Sequence, residues 1–181
     1  NGEFVINNSG NLYINNSNIT AGNTSGDANY EWWNLQGSYL NLQNSHIEGV
    51  GHDNFSRANN MQKGLFIAGR GSSIGGNTFV SSNQHDEYIL YLYETQNILV
   101  ERNSFFSNII SPTSAPSGKS SILYVTNSDN ITFQDNDLSL NSSNSYSTVP
   151  IHMGASNSLI ENNTMESSGS ILSENRITGD N

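Results

Sequence analysis

The stretch VERNSF at 100–105 and the stretch FQDNDL at 133–138 are one phrase written twice. Each opens on an apolar residue, passes two polar ones, reaches Asn, adds one more polar residue and closes on an apolar one. INNSNI (14–19), LQNSHI (42–47), IGGNTF (74–79) and IENNTM (160–165) follow the same form, with Ser or Asn at the fourth place. A further copy, LSENRI, stands at 172–177. The first six begin 26 to 33 residues apart, a period that marks a stacked solenoid.

Around each phrase apolar and polar residues alternate, as in half-buried strands: Phe4-Val5-Ile6, Leu12-Tyr13-Ile14, Leu40-Asn41-Leu42, Ile98-Leu99-Val100 and Ile131-Thr132-Phe133. A second strand ends seven or eight residues before each phrase, at Ile6, Leu35, Ile67, Leu92, Val125 and Met153. The residue two before each of these is apolar as well, from Phe4 and Trp33 through Leu65, Leu90 and Leu123 to Ile151. No segment has helical periodicity, which excludes helix-bearing repeats. Two strands, a third strand stub and a variable loop per unit describe an all-β parallel β-helix. The pattern predicts one domain over 1–181, with about six rungs, a partial seventh and no capping helix. Length variation falls after Ile19, Ile47, Phe105 and Leu138, where loops belong.

The fourth place of the phrase holds Ser17 and Ser45, then Asn77, Asn103, Asn136, Asn163 and Asn175. Stacked amides can bond to one another from rung to rung, so these five asparagines form a predicted structural ladder. Asn also tolerates the left-handed backbone of a tight bend, which the same place is expected to supply.

Composition fits that scheme. The chain is 34% hydrophobic and only 12% charged, and its polarity comes from 30 Asn and 29 Ser among 181 residues. Sixteen acids against six Lys and Arg give a net charge of −10, which excludes a basic footprint for nucleic acid. No apolar run is long enough for membrane insertion by a helix. With no cysteine there is neither a disulfide framework nor a thiolate metal site.

The paired strands, the Asn-x-apolar turn and the segments QNILVERNSF (96–105) and DNITFQDNDL (129–138) resemble the right-handed parallel β-helix, or pectin-lyase-like, superfamily across essentially the whole chain. The resemblance implies a fold and leaves function open, because lyases, glycosidases, epimerases, phage tailspikes, adhesins and surface-layer components share that scaffold. Glycosidases of the superfamily carry NTD, DD, GHG and RIK-like segments. Here only Gly51-His52-Asp53 and Asn175-Arg176-Ile177 come near, and no DD pair exists. Its lyases carry a calcium-binding acidic cluster beside a basic residue. The nearest match is Glu101, Arg102 and Asp135 on adjacent rungs, which reads as a surface ion pair.

A doubled His-Asp is the other constellation. His52-Asp53 follows Ile47, and His85-Asp86-Glu87 follows Phe79, so the two pairs are expected on one edge a rung apart, near Arg57 and Lys63. A His oriented by a carboxylate is the form of a general base, and such a cluster can hold a metal. His52, Asp53, His85, Asp86, Glu87 and Arg57 are therefore the catalytic candidates if the chain is an enzyme, with calcium as the cation. The turn-forming habit of Asp is the competing explanation.

On the outward face of the first strand, one column runs Val5, Asn34, Phe66, Tyr91, Tyr124 and His152, and its neighbour contains Tyr93. Phe66, Tyr91, Tyr93 and Tyr124 make a predicted exposed aromatic patch, suited to sugar rings or a protein neighbour; cross-strand packing is the alternative. Eight sequons, at Asn7, Asn15, Asn18, Asn23, Asn54, Asn130, Asn141 and Asn162, are candidate glycosylation sites and point to an extracellular or cell-surface setting. The first strand begins almost at the first residue and the last phrase lacks its preceding strand. That leads to two expectations: a segment of a longer β-helix, or a unit that stacks on copies of itself into filaments. The combined expectation is an extracellular structural or adhesive protein with no cofactor, whose partners are its own copies or adjoining rungs and a glycan surface. The alternatives are a polysaccharide-active lyase, glycosidase or epimerase, and a sugar-binding module.

Overall fold

A computed structural model describes residues 4–21, 30–51, 64–81, 88–109, 121–142, 150–168 and 176–178. All their regular structure is strand, and no helix occurs among them. The strands come in successive groups. The first is β1 (Phe4–Asn8), β2 (Asn11–Asn15) and β3 (Asn18–Thr20); the second is β4 (Tyr30–Asn34), β5 (Tyr39–Gln43) and β6 (His46–Glu48). The third is β7 (Leu65–Ile67), β8 (Ser73–Gly75) and β9 (Thr78–Ser81). The fourth is β10 (Tyr88–Tyr93), β11 (Gln96–Glu101) and β12 (Ser104–Ile109). In the fifth, β13 (Ser121–Gln134) runs unbroken across two faces before β14 (Asp137–Ser142). Then come β15 (Ile151–Ser156), β16 (Leu159–Glu161) and β17 (Thr164–Ser168), and finally β18 (Arg176–Thr178).

Every ladder between groups is parallel. The first face runs β1-β4-β7-β10-β13-β15-β18, the second β2-β5-β8-β11-β13-β16, and the third is the six-stranded sheet β3-β6-β9-β12-β14-β17. This is an all-β parallel β-solenoid. Like residues stack on like: Leu65, Leu90, Leu123 and Ile151 on the first face, Leu42, Ile74, Val100 and Phe133 on the second, and Ile47, Phe79, Phe105 and Leu138 on the third. All twelve are buried. Phe79 and Phe105 lie almost parallel with centroids 4.9 Å apart. Burying one such side chain contributes about 1.5–3 kcal/mol, but only where the next turn covers it.

That condition revises the expected count of about six rungs and a partial seventh. The second to fifth groups form about four enclosed turns. In the first group Ile6, Leu12, Ile14 and Ile19 are only partly buried, and in the sixth Ile160 is partly buried and Met165 exposed.

The first face also departs from the expected register in its first two turns. Asn34, not Leu35, aligns with Ile67, and Asn8, not Ile6, aligns with Asn34. The inward row there is amide rather than apolar. Asn8 Nδ2 donates to Asn34 Oδ1 (3.0 Å) and to the Tyr39 carbonyl (3.1 Å), while Asn34 Nδ2 donates to the Phe66 carbonyl (3.3 Å). Satisfied in this way, a buried Asn can occupy a core position, which apolar patterning alone does not register. The slip turns Trp32 into the core and sets Trp33 beside Phe66 on the outer face.

Candidate functional site

The ladder lies at the bend between the second and third faces. The Oδ1 of Asn77 accepts the Ser45 backbone N–H (2.9 Å). Asn103 Oδ1 accepts both the backbone N–H (2.9 Å) and the Nδ2 (3.0 Å) of Asn77. Asn136 Oδ1 takes the same two donors from Asn103, and Asn163 Oδ1 takes them from Asn136. The remaining Nδ2 hydrogens of Asn77, Asn103, Asn136 and Asn163 go to the carbonyls of Leu42, Ile74, Val100 and Phe133, each one turn back. Asn77, Asn103 and Asn136 are buried. Asn77, Asn103 and Asn136 thus each tie their own turn to both neighbours, while Asn163 bonds back to the fifth turn and to its own Glu161 carbonyl. Asn175 lies outside the described residues.

The bend itself is made one residue earlier than expected. Positive φ falls on Asn16, Asn44, Gly76, Arg102, Asp135 and Asn162, each immediately before the ladder position. A ladder Asn must aim its amide at the next turn, and the residue before it turns the chain. A second left-handed stack, Gly71, Asn97, Asn130 and Asn157, sits between the first and second faces. Asn130 Nδ2 donates to Asn97 Oδ1 there (2.7 Å), and Asn157 Nδ2 donates to Asp129 Oδ1 (2.8 Å).

On the outer side of the first face, Phe66, Tyr91, Tyr124 and His152 do form one column, and the first-strand residues continuing it are Trp33 and Asn7. The expected exposed patch is corrected in part. Phe66 and Tyr91 are each only 4% exposed, whereas Tyr93 and Tyr124 are half-buried. Their rings pack on one another: Tyr91 edge-on to Phe66 (5.5 Å) and to Tyr124 (5.3 Å), with Tyr93 6.0 Å from both Phe66 and Tyr91. Tyr88, Tyr124 and His152 stack nearly parallel at 4.3 and 4.4 Å. Burial pushes the Tyr91 hydroxyl well above its usual range, reinforced by Tyr124, Tyr93 and Glu94. The Tyr93 hydroxyl is raised by its hydrogen bond to the Glu94 carboxylate, by that charge, and by partial burial.

The column leads into a groove of about 470 Å³. Its walls are Thr126, Asn127, Ser128 and Asp129 from β13, and His152 and Gly154 to Ser156 from β15. The groove sits where the ladder between these strands shifts register: Val125 pairs with Met153, but Ser128 pairs with Ala155, so two residues oppose one. Bulges of this kind re-aim side chains and are common beside sites. The sequence did carry a signal for it. Eight residues separate the inward Val125 from Phe133, but seven separate Met153 from Ile160.

Glu101, Arg102 and Asp135 come together as a surface arrangement. Arg102 pairs with its neighbour Glu101, whose other oxygen accepts Gln134 Nε2 (3.2 Å), and Asp135 aligns with Arg102 one turn on. Among the described residues no group of three His, Asp or Glu side chains is placed to hold a metal. The candidates His52, Asp53, Arg57, His85, Asp86 and Glu87 lie outside the described residues, as do the sequon residues Asn23 and Asn54. The other six, Asn7, Asn15, Asn18, Asn130, Asn141 and Asn162, are exposed. Comparison with protein-family models finds no match, and comparisons with curated proteins and with solved structures find none either.

Proposed function

We propose that this chain is a structural and adhesive β-solenoid working outside the cell or at its surface, coiled right-handed in the pectin-lyase-like manner. The observation that carries the reading is the continuous amide ladder inside a continuous apolar core. Together they make a stiff rod whose outer faces show amides, hydroxyls and few charges. Stiffness and a neutral hydrogen-bonding exterior suit holding a glycan surface, and turns of one design suit stacking on adjoining turns, in the same chain or in copies. The exposed sequon asparagines and the near absence of lysine support an exported setting.

Negative-stain electron microscopy over a concentration series, with pull-down on immobilised polysaccharides, tests this. Rods or end-to-end filaments retained on a polysaccharide are the expected result. Compact monomers at every concentration that wash off every polysaccharide would sink the reading. Cleavage of the polysaccharide, with or without calcium, would replace it by the enzymatic one and turn attention to His52 and His85.

A further inference from the structure

The groove between β13 and β15 has the features of a small-ligand site rather than of a packing defect. Its volume lies in the range of about 300–1,000 Å³ typical of such sites. Gly154 and Ala155 line it without long side chains, so a ligand could approach the backbone closely. Polar residues line the same space: Thr126, Ser156 and Asp129, whose carboxylate accepts from Asn157 Nδ2 (2.8 Å). One wall is His152, and the Tyr88–Tyr124–His152 stack holds its ring in place, so the wall is pre-organised rather than assembled on binding.

We propose that this groove is a subsite for an uncharged saccharide. This rests on the glycan-facing reading above and names the class of glycan. Hydroxyls that both donate and accept, beside a fixed carboxylate that accepts from two adjacent sugar hydroxyls, match a polyol. The side of an imidazole gives the sugar's C–H groups an apolar contact. Charge decides between neutral and acidic sugars. Among the described residues that line the groove there is no Lys or Arg but there is Asp129, and the chain carries −10 overall, so a uronate would be repelled.

The test is a glycan array of neutral and uronate oligosaccharides probed with the parent chain and with His152→Ala, Asp129→Ala and Ala155→Phe, each checked for an unchanged melting curve. Retention of neutral glycans, weakened about tenfold by each variant, is the expected result. Ala155→Phe fills the groove; should it fail to fold, the other two variants decide. Retention of uronates alone overturns the proposal. Neutral binding unchanged in His152→Ala and Asp129→Ala also overturns it, while leaving an adhesive face elsewhere on the solenoid. No retention of any glycan removes both the subsite and the glycan-facing part of the function, and the rod is then judged by microscopy alone.

Discussion

At the scale of single residues, Asn103 shows what the ladder contributes. It accepts two hydrogen bonds from Asn77, gives two to Asn136 Oδ1 and one to the Ile74 carbonyl, and is buried. Asn103→Ala leaves the Asn77 backbone N–H and one of the two Asn77 Nδ2 hydrogens without an acceptor inside the protein, and takes one donor from the Ile74 carbonyl. Each buried orphan costs about 1–3 kcal/mol, so we expect a loss of roughly 3 kcal/mol in urea unfolding. Asn103→Ser should lose about half as much, because Ser45 shows how the shorter side chain works there. Its Oγ still accepts the previous turn's N–H, from Ser17 at 3.1 Å, but cannot span back to a carbonyl of that turn. An Asn103→Ala loss within about 0.5 kcal/mol of zero would make the ladder incidental. The ladder was legible in the sequence because one residue type recurs at one aligned place. The bend was misplaced by one because its positions, Asn16, Asn44, Gly76, Arg102, Asp135 and Asn162, do not keep one residue type: Gly76 and Arg102 break the Asn and Asp series. What they share is a backbone angle, which recurrence of residue type does not display.

At the scale of elements, the first face shows how alternation can give the right column and the wrong exposure. Period two places Phe66, Tyr91 and Tyr124 outward, and so they are. It does not say that large rings on neighbouring strands, about 4.8 Å apart, will lean on each other until the middle ones leave solvent. The same blindness hid the amide row of Asn8 and Asn34: the alternation sent Asn34 outward, and the apolar pattern ended at Ile6 before reaching Asn8. A consequence follows for alkaline stability. Tyr30 and Tyr91 are held protonated mainly by burial, well above the usual value near 10, and Tyr93 is raised by Glu94. The unfolded chain ionises these hydroxyls first as pH rises past about 10, so it then binds fewer protons than the folded one. Their contribution is therefore complete below that pH and is lost above it. Unfolding free energy should begin to fall as pH passes about 10 and keep falling through the alkaline range, with part of the phenolate absorbance appearing only on unfolding. Tyr91→Phe should flatten the fall. A pH dependence identical in that variant would show that Tyr91 is not held protonated by the fold.

At the scale of the whole molecule, the low charge and the abundance of Asn have one cause. Stacked like residues repel if charged, whereas neutral amides can bond, take left-handed bends and pave outer faces. The period was readable because turns of one design must repeat their inward residues. The groove was only half readable: the extra residue between Val125 and Phe133 signals a bulge, but not which side chains the bulge brings together. The same architecture sets how stability is distributed. In a solenoid each turn is stabilised by its two neighbours, so opening should proceed from the less covered turns inward. The first turn shows Phe4 at 60% and Tyr13 at 67% exposure, and its place in the ladder is taken by Ser17 rather than Asn. The third and fourth turns combine fully buried Leu65, Ile74, Phe79, Leu90, Val100 and Phe105 with the complete amide pairs of Asn77 and Asn103. Native-state hydrogen exchange should therefore protect the amides of Ser104, Leu99 and Leu92 most strongly and those of β1 and β2 least. Asn103→Ala should lower protection in the third to fifth turns together while leaving the first turn as it was. Uniform protection along the chain, or uniform loss in that variant, would mean that the solenoid opens as one cooperative unit and that the ladder carries no local share of its stability.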